Sequence, residues 1–267
     1  MNDMTIYSNE IPKPPSKLKH MLTFILVILM LWSSSVQVDA SFSKLVDGFP
    51  NMVDLLKEMV PPDWSYFQVI TTAMLDTIRM AIIGTTLGAI LAIPLALFAA
   101  SNVFTNTFLY SPARMILNFI RTIPDLLLAA IFVAIFGIGP LPGILALTFF
   151  SIGLVAKLLY ESIESIESID PGPLEAMTAV GATKVQWIVY GVIPQVKAHF
   201  VSYVLYTFEV NVRAAAVLGL VGAGGIGLYY DRTLGFLQYQ QTASIIIYTL
   251  IVVLLIDYIS TLLREKL

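Results

Sequence analysis

Residues 161–196 read "ESIESIESIDPGPLEAMTAVGATKVQWIVYGVIPQV", and this charged stretch lies between two long apolar segments. Isoleucine recurs at every third position in its first part, at Ile163, Ile166 and Ile169. That spacing places an apolar stripe along one side of a helix. A charged, amphipathic connection of this length is longer than two neighbouring membrane segments need. The stretch therefore predicts a surface on which a water-soluble partner docks.

Two prolines divide this stretch. Pro171 and Pro173 predict that the first helix stops, because proline lacks a backbone donor and clashes with the preceding turn. The residues that follow predict two short helices joined at Gly181, which allows a sharp turn or the close approach of a partner's backbone. Glu175 near a helix start suits the helix dipole and leaves a carboxylate for a partner's cation. Ala176 keeps the contact surface flat.

The composition of the whole chain identifies a membrane protein. Of its 267 residues, 57% are hydrophobic and only 12% are charged, with a mean hydropathy of +0.83. Soluble domains carry about 25% charged residues. Because the backbone must satisfy its own hydrogen bonds in lipid, helices are the expected spanning elements. We therefore predict an all-α, polytopic membrane protein.

Six apolar segments are long enough to cross a bilayer, which needs about 20 residues. They lie at about 21–38, 69–100, 112–137, 140–160, 196–221 and 242–263. The second segment is too long for one upright span, so its start lies outside the hydrocarbon or the helix tilts. Pro94 and Pro124 predict kinks in the second and third spans.

Lysine and arginine predict the orientation of these spans. With the N-terminus inside, nine of them fall in cytosolic segments, namely Lys13, Lys17, Lys19, Arg114, Lys157, Lys184, Lys197, Arg264 and Lys266. Three fall outside, namely Lys44, Lys57 and Arg232. This asymmetry predicts cytosolic termini and a long cytosolic loop at 161–195. The expected division is a tail (1–20), an anchor (21–38), an extracytoplasmic loop (39–67) and a transmembrane domain (68–264).

Residues 13–40 also resemble a secretory signal, with a basic lead, an apolar core and small residues before Ala40. Cleavage after Ala40 would leave five spans and would not move the 161–195 loop to the other side. We favour an uncleaved anchor, because "SSSVQV" extends the apolar core to spanning length.

A glycine run at 222–227, "GAGGIG", matches the G-x-G-x-x-G pattern of dinucleotide-binding turns. That pattern needs a preceding strand and an acidic residue about 20 positions later. Here the preceding residues favour helix and no carboxylate follows at that distance. We instead expect a flexible or close-packed helix exit, where small residues let backbones approach. The residues concerned, Gly222, Gly224 and Gly225, either shape an outer gate or serve packing alone.

The 161–195 loop resembles the E-A-A…G…L-P signature of the membrane subunits of ABC-type importers. The residues that carry this resemblance are Glu175, Ala176, Gly181, Ile193 and Pro194. Two positions depart from the pattern with its spacing kept: Met177 stands where Ala is usual, and Gly191 stands where Ile is usual. The resemblance implies the type I ABC importer permease fold, with a coupling helix seated in a groove of a cytosolic ATPase.

Two further stretches, 121–143 and 211–227, resemble the phosphonate permeases within this group. Methionine permeases share part of both stretches but typically have five spans and a shorter chain. The resemblance implies an importer of phosphonates, phosphite or related phosphorus oxyanions in the bacterial cytoplasmic (inner) membrane; the alternative is methionine or another small solute. It also implies a cytosolic ABC ATPase dimer, a second permease chain, identical or paralogous, and an extracytoplasmic substrate-binding protein.

Three pairs of charged residues fall inside predicted spans: Asp76 with Arg79, Arg121 with Asp125, and Glu209 with Arg213. Residues three or four apart share a helix face, so each pair can neutralise itself. Alternatively, arginine forks line the path of an anion. The residues expected along the path or its gate are Arg121, Asp125, Glu209, Asn211, Arg213 and the three glycines. Equal numbers of cations and anions leave no surplus charge, so we expect tight substrate binding to reside in the separate binding protein.

Several functions are not supported by the sequence. It contains no G-x-x-x-x-G-K-[ST] phosphate loop and no cysteine. We therefore expect no enzyme activity and no cofactor on this chain, with ATP and Mg²⁺ bound by the partner ATPase. No basic, aromatic-interleaved patch indicates nucleic acid. An ion-coupled secondary transporter, the other alternative, would need ion-relaying groups at the midplane and usually inverted repeats, and we find no convincing repeat.

Overall fold

The computed structural model describes residues 17–38, 41–165 and 169–266, and within these ranges every regular element is a helix. The helices are α1 (Lys17–Gln37), α2 (Phe42–Glu58), α3 (Tyr66–Ala99), α4 (Thr107–Thr122), α5 (Asp125–Phe136), α6 (Pro140–Glu164), α7 (Pro171–Ala179), α8 (Lys184–Gln186), α9 (Ile193–Leu218), α10 (Ile226–Gly235) and α11 (Tyr239–Arg264). The predicted all-α fold is confirmed. Lys13, the cleavage site after Ala40 and Ile166 lie outside the described residues.

Five helical stretches are long and apolar enough to cross a membrane: α1, α3, α6, the run Lys184–Val221 and α11. The third predicted span differs from expectation, because α4 and α5 meet at a bend of 82°. Ile123 and Pro124 are extended there. Proline disfavours helix in the residue before it, which explains why the break falls at this position. The count is six spans only if α4 and α5 together form one.

The chain divides into two compact units, Met1–Lys57 and Glu58–Leu267. In the first unit, α1 has an apolar central part between a basic beginning and a serine-rich end, and its side chains are exposed. The predicted extracytoplasmic loop at 39–67 is not simply a loop, because it contains the 17-residue helix α2.

The second unit is built on the close packing of α3 against α6. A Cβ on Gly88 would lie 2.3 Å from the Cβ of Ser151, and one on Gly84 would lie 2.6 Å from the Cβ of Leu147. Glycine at these positions therefore lets the two backbones approach, as in many membrane helix pairs. Helix α3 continues through Pro94 without interruption.

A buried apolar cluster joins the ends of these helices to the segment that follows α6. It includes Val155, Leu159 and Ile163 of α6, together with Leu174 of α7 and Val196 of α9. The docking segment predicted from the sequence is therefore packed onto the membrane helices.

Candidate functional site

Helix α7 begins at the prolines that were expected to end a helix. Asp170 caps it, since its side chain accepts a hydrogen bond of 2.9 Å from the backbone N–H of Gly172. Pro171 and Pro173 occupy the first turn, where a missing backbone donor costs nothing. Helix α6 has already ended at Glu164. The expectation that these prolines stop a helix was therefore wrong, and so was the placement of Glu175 near a helix start, because it is the fifth residue of α7.

The turn after α7 depends on Gly181. Its φ of +77° is left-handed, a conformation that favours glycine. The backbone N–H of Gly181 donates to the carbonyl of Thr178, and that of Ala182 donates to the carbonyl of Met177. Thr183 then caps α8 in a reciprocal arrangement with Gln186. The predicted helix break at Gly181 is confirmed, but only the helix before it is short, since α8 continues into a run that extends from Lys184 to Val221.

One polar contact ties the beginning of this element to α9, and two more lie at or within its C-terminal part. Gln195 accepts a hydrogen bond of 2.7 Å from the backbone N–H of Asp170 and donates to the carbonyl of Gly191 at 3.0 Å. The indole N–H of Trp187 donates to the carbonyl of Leu174 at 3.3 Å. The bond between Asp170 and Gln195 therefore closes residues 169–195, hereafter the coupling loop, onto α9, and the bond between Trp187 and Leu174 joins α7 to the turn that precedes α9.

The two departures from the importer signature lie against each other. A Cβ on Gly191 would lie 2.5 Å from Cδ2 of Leu174 and 3.2 Å from the sulfur of Met177. Leu174 and Met177 of α7 therefore occupy space that a side chain at Gly191 would need. The sequence showed the two departures but not that they lie next to each other.

The outer surface of the coupling loop combines one carboxylate with apolar side chains. Glu175 and Ala176 are exposed on α7. Val180 is 82% exposed, Val185 70% and Tyr190 72%. Exposed aromatic and aliphatic side chains next to a charge are typical of a surface that a partner covers.

Ile193 and Pro194 are exposed at the beginning of α9. The N–H of Ile193 donates to the carbonyl of Ile188, five residues back, as in a π-helix. This π-helical turn, Trp187–Val192, continues α8 into α9, so that the helix runs without a break from Lys184 to Val221. Pro194 at the start of α9 supplies no backbone donor, and a local change of helix type accommodates such a gap.

The glycine run lies at the other end of α9. Gly222, Gly224 and Gly225 have φ values of +90°, +86° and +71°. The N–H of Ile226 donates to Oγ1 of Thr77 at 2.8 Å, and the N–H of Gly139 donates to the carbonyl of Gly222 at 3.0 Å. The run is therefore a left-handed loop held between α3 and the turn that precedes α6.

Side chains would not fit in this loop. A Cβ on Gly224 would lie 2.9 Å from the backbone of Pro140, and one on Gly225 would lie 2.5 Å from Oγ1 of Thr77. The run is mostly buried. Of the two expected properties, flexible or close-packed, the structure shows close packing.

Arg121 and Asp125 do not form the expected helical pair. The break at Pro124 places Arg121 on α4 and Asp125 on α5, so the spacing of four residues no longer brings them onto one face. Asp125 accepts a hydrogen bond from the N–H of Leu126 instead. Among the described residues Arg121 forms no ion pair. Both side chains line a cavity of about 190 Å³ at the bend.

Glu209 is shared between two arginines. Its carboxylate accepts from Arg213 at 2.7 Å and from Arg264, at the end of α11, at 3.2 Å. Glu209 is only 7% exposed, whereas Arg213 is 48% exposed. The expected Glu209–Arg213 pair is therefore present, but Arg264 adds a second guanidinium group, so these three residues carry one positive charge in excess. Sequence spacing could not reveal Arg264, because it comes from another helix.

Asp76 and Arg79 form the pair that was expected from their spacing. Their charged atoms lie 3.0 Å apart, and both side chains are largely exposed.

Asn211 is fully buried where α3, α6 and α9 meet. Its amide nitrogen donates to Oγ1 of Thr85 and to Oγ of Ser151, each at 2.7 Å. The position expected on a translocation path is therefore a hydrogen-bonded junction of three helices inside one protomer. Its carbonyl oxygen Oδ1 has no partner among the described residues.

One polar cluster was not expected from the sequence. Glu164 at the end of α6 forms an ion pair with Arg114 of α4, whose Nε donates to the carbonyl of Ala99 at 2.8 Å. The Arg114 guanidinium also lies about 5 Å from the ring centres of Tyr110 (5.0 Å) and Tyr160 (5.1 Å). These contacts hold α4 against the ends of α3 and α6.

Comparison with known proteins identifies the family. The pattern of the family described as binding-protein-dependent transport system inner membrane component matches residues 92–267. The phosphite transport system permease protein PtxC of Stutzerimonas stutzeri is 38% identical over 244 residues, which are 91% of this chain and 86% of that protein. The phosphate-import permease protein PhnE of Mycolicibacterium smegmatis is 36% identical, over 87% of this chain and 43% of that protein.

A solved structure shows the same fold. The MetNI methionine ABC transporter, in an inward-facing conformation, aligns with a TM-score of 0.66 and 22% identity over 76% of this chain and 98% of that one. The predicted type I importer fold and the predicted resemblance to the phosphonate branch are confirmed by these matches. The chain therefore belongs to the binding-protein-dependent transport system inner membrane components, the membrane-spanning permeases of ABC importers.

Proposed function

We propose that this chain is the permease subunit through which an ATP-driven importer moves phosphonates, phosphite or a related phosphorus oxyanion across the cytoplasmic membrane. Two phosphite permease proteins of Stutzerimonas stutzeri support this substrate class, since each is 38–39% identical over more than nine-tenths of this chain. ATP and Mg²⁺ are bound and used by a pair of cytosolic ATPase subunits. A second permease chain, identical or paralogous, completes the membrane part.

The coupling loop carries this proposal. Its exposed surface presents Glu175 beside apolar side chains, Gln195 binds its beginning to α9, and Trp187 holds α7 against the turn that leads into α9. A force applied to α7 by an ATPase therefore passes into α9 rather than into a loose connection. Because the helix from Lys184 to Val221 is 38 residues long and unbroken, it can act as a lever that reaches the glycine loop.

The arginines support an anionic substrate. The single negative charge of Glu209 neutralises only one of the two positive charges on Arg213 and Arg264, and the Arg213 side chain is half-exposed. Arg121 lies in a cavity at the α4–α5 bend. A guanidinium group binds phosphorus oxyanions through two parallel N–H donors, so these sites suit transient contacts along a path. One excess charge is too little for tight binding, which we assign to an extracytoplasmic substrate-binding protein.

Uptake measurements test this function directly. Right-side-out vesicles that contain the full complex are given labelled phosphite, methylphosphonate and methionine on the outside, with ATP inside or an ion gradient as the energy source. We expect ATP-dependent uptake of the phosphorus compounds and none of methionine. Uptake of methionine alone would overturn the substrate class, and uptake driven by an ion gradient without ATP would overturn the coupling role.

A further inference from the structure

Helix α2 separates its apolar and polar residues onto two faces. Six of its eight apolar residues recur mostly at intervals of three and four, at Phe42, Leu45, Val46, Phe49, Met52 and Leu56; Val53 shares their face and is partly exposed, whereas Leu55 lies outside it. Residues spaced in this way form one stripe along a helix. The opposite face carries Asp47, Asn51 and Asp54. Such a helix is stable only where its apolar stripe is covered.

Within the first unit these six residues are exposed. Their exposed fractions run from 51% at Met52 to 82% at Phe42. The polar face is largely satisfied within the helix, since Lys57 pairs with Asp54 at 2.8 Å and Ser43 donates to Asp47 at 3.2 Å. The covering surface must therefore be apolar and need not carry strong charge.

The position of α2 in the chain indicates what covers it. Helix α1 is long and apolar enough to span the bilayer and ends at Gln37, and α2 begins at Phe42. Five Cα steps reach at most about 18 Å, so the start of α2 cannot lie far from the bilayer surface at which α1 ends. Helices with a strong apolar face and low net hydrophobicity lie in the membrane interface, with that face about 5–10 Å deep.

We propose that α2 lies in the plane of the membrane surface, with its apolar stripe in the lipid and Asp47, Asn51 and Asp54 toward water. Its charged residues are two lysines (Lys44, Lys57) and three carboxylates (Asp47, Asp54, Glu58), so its net charge is −1. Because of this negative charge, α2 is held at the membrane by burial of its apolar stripe rather than by attraction to anionic lipids. In this position α2 holds the end of α1 at the membrane surface.

The absence of cysteine from the chain makes a direct test possible. Single cysteines replace Met52 or Phe49 on the apolar stripe, and Asp47 or Asn51 on the polar face, in the full chain within its assembled complex in liposomes. Each is labelled with an environment-sensitive fluorophore. Quenching is then measured with lipids carrying a shallow nitroxide and with aqueous iodide.

We expect the Met52 and Phe49 labels to be quenched several-fold more by the nitroxide lipid than by iodide, and the Asp47 and Asn51 labels to show the reverse. Met52→Cys is the mild variant, because it preserves a flexible apolar side chain. Equal iodide quenching on both faces would overturn the proposal. Protection of the apolar labels from both quenchers would also overturn it, since a protein surface would then cover the stripe.

Discussion

The sulfur of Met177 lies 3.2 Å from the position that a Cβ on Gly191 would occupy. Both residues depart from the importer signature: Met177 is larger than the alanine usual at its position, and Gly191 is smaller than the isoleucine usual at its position. Their contact joins α7 to the π-helical turn that leads into α9, together with Leu174, which is buried at the same place. The contact therefore lies on the route by which, under the proposed function, motion of the coupling loop would reach the membrane helices.

Replacing Gly191 by Ile is expected to overpack this contact. Overpacking of a well-packed site costs about 1–3 kcal/mol, which we expect as a lowered thermal unfolding temperature of the purified complex. Adding Met177→Ala to the Ile variant should restore part of the loss, because it frees volume beside the new side chain. Gly235→Ala serves as the control, since no atom lies within 4 Å of a Cβ there. Strictly additive effects of the two substitutions would contradict the compensation.

Substitutions at Gly181 separate backbone strain from partner contact. No atom of the chain lies within 4 Å of a Cβ on Gly181, but its φ is +77°. Asn tolerates this conformation, whereas most other residues lose about 1–2 kcal/mol. We expect Gly181→Asn to retain most ATPase copurification and uptake. Gly181→Arg should lose both while still inserting into the membrane, because its bulk faces the proposed partner. Normal transport by Gly181→Arg would show that the loop is not the coupling surface.

Glu209→Gln is expected to be far more damaging than Asp76→Asn. Glu209 is 7% exposed and faces two guanidinium groups, which would lose their only carboxylate within the described residues. Removing one partner of a buried ion pair costs about 3–5 kcal/mol, and the partial exposure of Arg213 places this case at the lower end. The Asp76–Arg79 pair is largely exposed, so its loss should cost at most about 1 kcal/mol. The two variants are compared by thermal unfolding in detergent; equal destabilisation would argue against the shared carboxylate.

Asn211→Ala tests the junction of α3, α6 and α9. The substitution removes two hydrogen bonds of 2.7 Å and leaves a cavity between three helices, with an expected loss of roughly 1–3 kcal/mol. Thr249→Val is the matched control, because Oγ1 of Thr249 is buried and has no partner within the described residues. Exchanging that hydroxyl for a methyl group should leave stability unchanged or raise it. A neutral Asn211→Ala variant would mean that the junction is not needed to hold the bundle together.

Local sequence determined the features that depend on short-range chemistry. Composition and apolar length predicted an all-α membrane protein, because lipid allows only internally bonded backbone. Gly181 predicted the turn of the coupling loop, since few other residues adopt a left-handed φ readily. The spacing of Glu175, Gly181 and Pro194 likewise indicated the importer family before any contact was known.

The tertiary structure decided which groups meet across helices. Arg264 reaches Glu209 from 55 residues away, Asn211 bridges two other helices, and Gly191 accommodates Leu174. Helical periodicity relates only residues a few positions apart, so it paired Arg121 with Asp125 and could not anticipate that Pro124 would place them on separate helices. Long-range contacts depend on how close two backbones approach, and that distance is set by packing of the whole bundle rather than by any one segment.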